Sequence, residues 1–258
     1  KPPFGDEPRP ASKPDPAPKR DVRWGNIQLS ADGKIAVSSV RAADNTERWL
    51  AAIDPATGRT KVLDHIKDEA WVRDGGQGWL PDSTRMWFLA EHDGWMHLYT
   101  VDATAAAPQR KALTSGTFEI DSVELSTDGK TFYIVSTEAH PGERHVYSLS
   151  VDGGPRTKLT AVPGGHQGAI SPDNATFGLI SSFSNRPPEV FVMPNRVGAA
   201  ATRVTTSTTK ATVRRPKPIQ PALPSAAAHC WASRAISRWL APSRSPCWRR
   251  SVSSPTRL

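Results

Sequence analysis

The sequence predicts an all-β fold, a partial β-propeller of about four four-stranded blades. Three observations lead there. A turn of the Asp-Gly type recurs at Leu29-Ser30-Ala31-Asp32-Gly33, Leu80-Pro81-Asp82-Ser83, Leu125-Ser126-Thr127-Asp128-Gly129 and Ile170-Ser171-Pro172-Asp173-Asn174, at intervals of 51, 45 and 45 residues. A period of about 40 to 50 residues is that of a propeller blade. Each turn is followed by short runs rich in β-branched and aromatic residues, which favour strands. The 24 prolines and 18 glycines in 258 residues leave little room for long helices. A β-sandwich would also place strands about 8 to 12 residues apart, but the four-fold repeat argues against it.

Each unit, starting near residues 22, 71, 118 and 165, has the same order. An apolar stretch ends in the Asp-Gly-type turn, where positive φ is needed. A second strand is predicted at Ile35–Val40, Met86–Ala90, Phe132–Val135 and Phe177–Ile180. A third follows at Trp49–Ile53, His97–Val101, Val146–Val151 and Val190–Met193. A fourth ends at Val62-Leu63, Ala112-Leu113-Thr114, Lys158-Leu159-Thr160 and Arg203-Val204-Thr205. Asp54-Pro55 with Gly58, and Asp152-Gly153-Gly154, supply turns between the third and fourth strands. Tyr147, Leu149 and Val151 alternate with polar neighbours, the pattern of a half-buried strand. Trp87, Phe132 and Phe177 are read at one register of the second strand, as packing between blades.

The flanks differ from this middle. Residues 1–21 hold seven prolines and read as an extended linker. Net charge is +8, from 33 bases and 25 acids, yet Glu189 is the last acid. The first 210 residues hold 24 bases and all 25 acids, so the body is nearly neutral and the basic character belongs to 210–258. That tail is mostly Ala, Ser, Pro and Arg, with only a short apolar patch at Ala235–Leu240. Three readings compete: a basic, Trp-bearing arm for single-stranded nucleic acid, a solvated disordered tail, and codons read out of frame. The abrupt loss of every acid favours the third. No apolar run approaches the roughly 20 residues of a membrane helix, which excludes such a span. Two cysteines, Cys230 and Cys247, exclude a disulfide scaffold and are expected as free thiols.

Other residues invite chemistry that their setting does not support. His92 and His97, like His140 and His145, are five apart, a spacing that puts strand side chains on opposite faces. With no third ligand evident, no metal site is assigned. Glu91, Asp93 and Glu138 are expected to bond local amides rather than act as an acid–base pair. Gly153-Gly154 and Gly164-Gly165 lack a following helix, so neither reads as a phosphate loop.

Several runs carry a family resemblance. They are Asp68-Glu69-Ala70-Trp71-Val72, Trp79-Leu80-Pro81-Asp82 and Glu91-His92-Asp93-Gly94-Trp95-Met96-His97-Leu98-Tyr99. Others are Leu113-Thr114-Ser115-Gly116, Pro141-Gly142-Glu143-Arg144-His145-Val146-Tyr147, Ser171-Pro172-Asp173 and Pro187-Pro188-Glu189-Val190. Together, over 22–209, they resemble the propeller domain of dipeptidyl-peptidase-IV-like enzymes of the prolyl oligopeptidase family. The Gly-Trp-x-His-Leu-Tyr run is the most specific of these. The resemblance implies a serine exopeptidase whose propeller gates a peptide substrate and packs on an α/β-hydrolase domain. It also implies a periplasmic or secreted setting, and no cofactor. The sequence departs from that pattern at the chemistry. No Gly-x-Ser-x-Gly elbow occurs, no carboxylate follows Glu189 to orient a histidine, and the Glu-Glu pair that binds the substrate amine in the family is absent. No catalytic residue is assigned, substrate-binding residues are left unassigned, and the chain is expected to be inactive alone. A stand-alone propeller that binds protein or peptide is the alternative. The family's propellers have about seven or eight blades, so four would leave open faces through which copies self-associate.

Overall fold

The computed structural model describes residues 20–207. The linker before them and the tail after them, with His229, both cysteines and the patch Ala235–Leu240, lie outside the described residues. Among the described residues there are seventeen strands and no helix, arranged as four consecutive antiparallel sheets. The first holds β1 (Val22–Trp24), β2 (Gln28–Leu29), β3 (Ala36–Ala42), β4 (Glu47–Ile53) and β5 (Thr60–Lys67). The second holds β6 (Gln77–Trp79), β7 (Arg85–Ala90), β8 (His97–Asp102) and β9 (Arg110–Ala112). The third holds β10 (Ile120–Leu125), β11 (Thr131–Ser136), β12 (His145–Ser150) and β13 (Thr157–Lys158). The fourth holds β14 (Gly165–Ile170), β15 (Thr176–Phe183), β16 (Arg186–Pro194) and β17 (Thr202–Arg203). The fold is the all-β partial propeller that the repeat predicts. The first sheet has five strands because its inner edge is broken between β1 and β2, both of which pair with β3.

The repeated turn closes the hairpin between the first two strands of each sheet. In the first sheet the Ser30 hydroxyl donates to Asp32 (2.7 Å) and accepts the Ile35 amide (3.1 Å). The Ser30 bond and the Lys34 amide hold the Asp32 carboxyl down to about 2. Ser126 with Asp128 and Ser171 with Asp173 repeat the arrangement. In the second sheet the backbone bond that opens the turn comes from Leu80, to Arg85 O, where Ser30, Ser126 and Ser171 donate in the others. Leu80 therefore stands in the serine's place, and Asp82 instead takes the Thr84 and Arg85 amides and the Arg85 guanidinium.

This alignment corrects the sequence register by one residue in the second unit. Trp79, not Leu80, matches Leu29, Leu125 and Ile170, and the turn aspartates Asp32, Asp82, Asp128 and Asp173 are 50, 46 and 45 residues apart. A slip of one residue turns a strand's side chains to the other face. Met86, not Trp87, thus shares the register of Phe132 and Phe177. All three are fully buried.

The core consists of three layers, one between each neighbouring pair of sheets. Met86, Phe88 and Ala90 of β7 meet Val37, Leu50 and Leu63 of the first sheet. Phe132 and Ile134 of β11 meet Leu89 and Leu98 of the second. Phe177, Leu179 and Met193 meet Tyr133, Val135 and Leu159 of the third. Trp87 lies on the other face of β7 and meets Phe132 edge-on, ring centroids 6.0 Å apart. It does pack between sheets, but against the following sheet rather than the preceding one. Strand β12 is not half-buried as its alternation suggests: His145, Val146, Tyr147 and Leu149 are all buried. It lies in a sheet flanked on both faces, and such strands lose polar alternation.

Candidate functional site

The second, third and fourth sheets each hold a polar clasp on their third strand, buried in the second and third sheets. In the third sheet the Glu143 carboxylate accepts from Nε2 of His145 (2.7 Å), which leaves Nδ1 as the acceptor of the Thr160 hydroxyl (2.9 Å). The same hydroxyl oxygen accepts the Val146 amide (3.1 Å). In the second sheet His97 donates through Nε2 to Gly116 O (3.0 Å) and accepts from Thr114 (3.1 Å), whose oxygen takes the Leu98 amide (3.0 Å). In the fourth sheet a carboxylate replaces the imidazole. Thr205 donates to Glu189 (2.5 Å) and accepts the Val190 amide (2.9 Å). Bonds from Thr205, the Ser207 hydroxyl and the Ser207 amide hold the Glu189 carboxyl down to about 2. The fourth strands are two or three residues long, and the hydroxyl supplies the bond that the short strand does not.

The first sheet breaks this pattern and opens a cavity. Trp49 and Asp64 occupy the places of the imidazole and the threonine. Trp49 stacks flat on His65, centroids 5.1 Å apart and planes 2° apart. Asp64, buried, reaches into the second sheet instead, to His92 Nε2 (2.9 Å) and the Arg110 guanidinium (3.3 Å). Arg48 crosses the same joint and donates to Leu89 O (2.6 Å) and Arg73 O (3.2 Å). Burial lowers the Arg48 pKa from its ordinary value. Beside these groups lies a cavity of about 180 Å³ lined by His65, Lys67, Asp68, Trp71, Glu91 and His92. His65 is held by Glu47 (3.0 Å). Burial pushes the Glu47 carboxyl up, but bonds from Arg20 and His65 outweigh it and hold it below the usual range.

The local sequence explains how these walls form. Asp68 accepts the Ala70 and Trp71 amides (2.7 and 3.2 Å), a side-chain turn that throws Trp71 out to 60% exposure while Val72 plugs the core. Glu91 accepts from the Arg73 amide (3.3 Å) and guanidinium (3.2 Å), and Arg73 also reaches Glu119 (2.9 Å). The site thus offers an aromatic wall, two carboxylate-held imidazoles and paired charges. Among the described residues no three His, Cys, Asp or Glu side chains come together to hold a metal ion.

The residues singled out by sequence fall in separate places. His97 and His145 are clasp residues, wholly buried, whereas His92 and His140 lie in the preceding loops, so the strand-face rule does not apply to these pairs. His140 accepts the Gly142 amide at 3.0 Å. Asp93 bonds a local amide, that of Trp95. Glu138 does not: it takes a bidentate pair of bonds from Arg156, both 2.7 Å. Glu91 is tied to Arg73, eighteen residues back. A planar guanidinium fork outcompetes local amides for a carboxylate. Sequence reasoning missed Glu47, Arg48, Asp64 and His65, which carry no motif. The hydroxyl role was visible only as a recurring Leu-Thr.

The family model for the N-terminal region of dipeptidyl peptidase IV matches residues 10–188. The chain belongs to that family. Among curated relatives, a probable dipeptidyl peptidase 4 of Emericella nidulans is 30% identical over 123 residues, 40% of this chain and 15% of the relative. One of Aspergillus flavus is 28% identical over 120 residues, 40% and 14% respectively. The dipeptidyl peptidase 4 of Arthroderma otae is 26% identical over 150 residues, 52% and 18%. The chain therefore spans about a sixth of the length of these relatives. As a dipeptidyl-peptidase-IV-type propeller region, it accounts for its own most specific run. Gly94, at φ +87°, turns the chain, Trp95 remains partly exposed, and Met96, His97, Leu98 and Tyr99 are buried in sequence. Tyr99 stacks on Phe88 (5.6 Å) and meets His92 edge-on (5.2 Å). Burial, then Asp93, pushes its hydroxyl up to about 12.

Proposed function

We propose that this chain is the substrate-gating, non-catalytic propeller portion of a dipeptidyl-peptidase-IV-like serine exopeptidase. The reading rests above all on the family match over residues 10–188. It is supported by the absence of a Gly-x-Ser-x-Gly elbow from all 258 residues, a turn that hydrolases of the α/β type use to present their nucleophile. The polar groups of these sites are also engaged in holding strands and sheets together, as in the His145–Thr160 pair within one sheet and the Asp64–His92 pair between two, rather than gathered around a nucleophile. In this reading the propeller screens peptides by size and by contacts on the loop side, and the chemistry is supplied by residues outside this sequence. The test is hydrolysis of an X-Pro dipeptidyl chromogenic substrate by the purified 258-residue chain. No turnover above buffer is expected. Turnover abolished by a serine-directed inhibitor would overturn the non-catalytic assignment.

A further inference from the structure

The joint between the first and second sheets holds a second cavity, and the next joint shows why it is open. There Arg85, just before Met86, pairs with Asp152 in a turn of the third sheet (2.8 Å), and Lys111 donates to Asp152 O (2.8 Å). The first joint repeats only half of this. Lys61 donates to Ala105 O (2.9 Å). But Ile35 stands before Ala36 where Arg85 stands before Met86, and Thr104 follows Ala103 where Asp152 follows Val151. Isoleucine and threonine cannot form the ion pair, so the joint is tethered at one point and opens beside it. The cavity left there is about 380 Å³, and both Ile35 and Thr104 line it. That volume is at the low end of the roughly 300 to 1,000 Å³ of ligand sites. Both its walls lie within the described residues.

We propose that this cavity binds a small carboxylate that carries an apolar chain. The site goes beyond the gating role and does not depend on it. Its floor is apolar: Ala52 and Ala103 are buried, Ile35 and Ile53 half-buried. Its charged lining is cationic, with Lys34, Arg59 and Lys61 against one acid, Asp54. Asp54 is spent on its own turn, where it accepts the Thr57 hydroxyl (2.6 Å) and the Ala56 amide (2.9 Å). These bonds hold its carboxyl below the usual range, and Arg59 contributes least to that shift. Lys34 is tied to Asp32 (3.2 Å). Among the described residues the Arg59 guanidinium forms no ion pair, and its planar fork can grip a carboxylate through two parallel bonds. An amine would meet like charges here, and an uncharged chain would leave the guanidinium unused. The required chemistry can come from a fatty acid or from the C-terminal residue of a peptide.

The test is a titration of the full chain with octanoate, and separately with N-acetyl-leucine, followed by amide NMR. The Ile53, Ala103 and Thr104 signals should shift together and saturate, with a dissociation constant of roughly 0.1 to 1 mM. Whichever of the two carboxylates binds more tightly names the source. Octanol and octylamine should bind at least about tenfold more weakly, because neither pairs with the guanidinium. Arg59→Gln should weaken octanoate by roughly threefold to tenfold. The double substitution Ile35→Arg, Thr104→Asp rebuilds the ion pair of the next joint and should remove the response. Should that variant fail to fold, Arg59→Gln, at the surface, carries the test. The proposal is overturned if neither carboxylate saturates these signals, if octanol or octylamine binds as tightly, or if Arg59→Gln leaves the constant unchanged.

Discussion

Replacing Thr160 by valine keeps the side chain's shape and removes only the hydroxyl. That oxygen has two buried partners, the Val146 amide and Nδ1 of His145, and Thr160 itself is 3% exposed. No water can take its place, so both partners are stranded. Each unsatisfied buried group costs about 1 to 3 kcal/mol, and the sum for the two is about 2 to 6 kcal/mol. At a urea dependence of about 2 kcal/mol per molar, the unfolding midpoint should fall by roughly 1 to 3 M. Thr160→Ser loses one methyl group but keeps the oxygen, at a cost of about 1 kcal/mol. Pairing Thr160→Val with His145→Phe removes both ends of one bond, and the double variant should lose less than the two single losses combined. Urea unfolding followed by tryptophan fluorescence reads the parent and all four variants. A Thr160→Val midpoint no lower than that of Thr160→Ser would refute the clasp as a stabilising device.

Two further outcomes follow from the turns and the buried imidazoles. Gly33 and Gly129 have nearly the same φ, +71° and +67°, but a Cβ at Gly33 meets nothing, whereas at Gly129 it lands 2.0 Å from Cγ of Pro81 in the preceding turn. Thermal melts should place Gly33→Ala about 1 to 2 kcal/mol below the parent, the left-handed penalty alone, and Gly129→Ala clearly lower; equal losses would remove the turn-to-turn contact from the account. His166 is buried beside His145, with ring centroids 5.3 Å apart, and its nitrogens bond Ser181 and Val162 O. Burial lowers its pKa. The unfolded chain therefore takes up a proton near the ordinary value of about 6.5 while the fold resists it. Stability is full above that value and declines as pH falls below it. His166→Gln should flatten this slope between pH 7 and 5 in urea titrations, and an unchanged slope would place the titration elsewhere.

The repeat made the fold legible because its signals are local. Turns built on Ser, Asp and Gly appear in the sequence as they act in the structure, and strand order follows from their spacing. The one-residue slip in the second unit arose where the turn abandons serine. Leu80 sits where Ser30 sits, and a leucine gives no sign that it stands in for a hydroxyl. The cavity was hidden for a different reason. Asp64, His92 and Arg110 meet from three separate segments, and Arg48 reaches a carbonyl forty-one residues away. Such contacts exist only after the sheets stack, so no window of sequence contains them. The same holds for Glu138, whose guanidinium partner lies eighteen residues on, beyond the loop that a local reading considers.

The unequal wiring of the joints bears on how such a chain can be recombined. In the third sheet Glu143, His145, Thr160 and Val146 all come from one stretch of fewer than twenty residues, so that segment brings its own latch wherever it is inserted. Duplicating or exchanging it is a single genetic event. The first two sheets are different. Asp64 belongs to one and its partners His92 and Arg110 to the other, so a crossover between them would leave a buried carboxylate facing strangers. Those two units must be inherited as a pair.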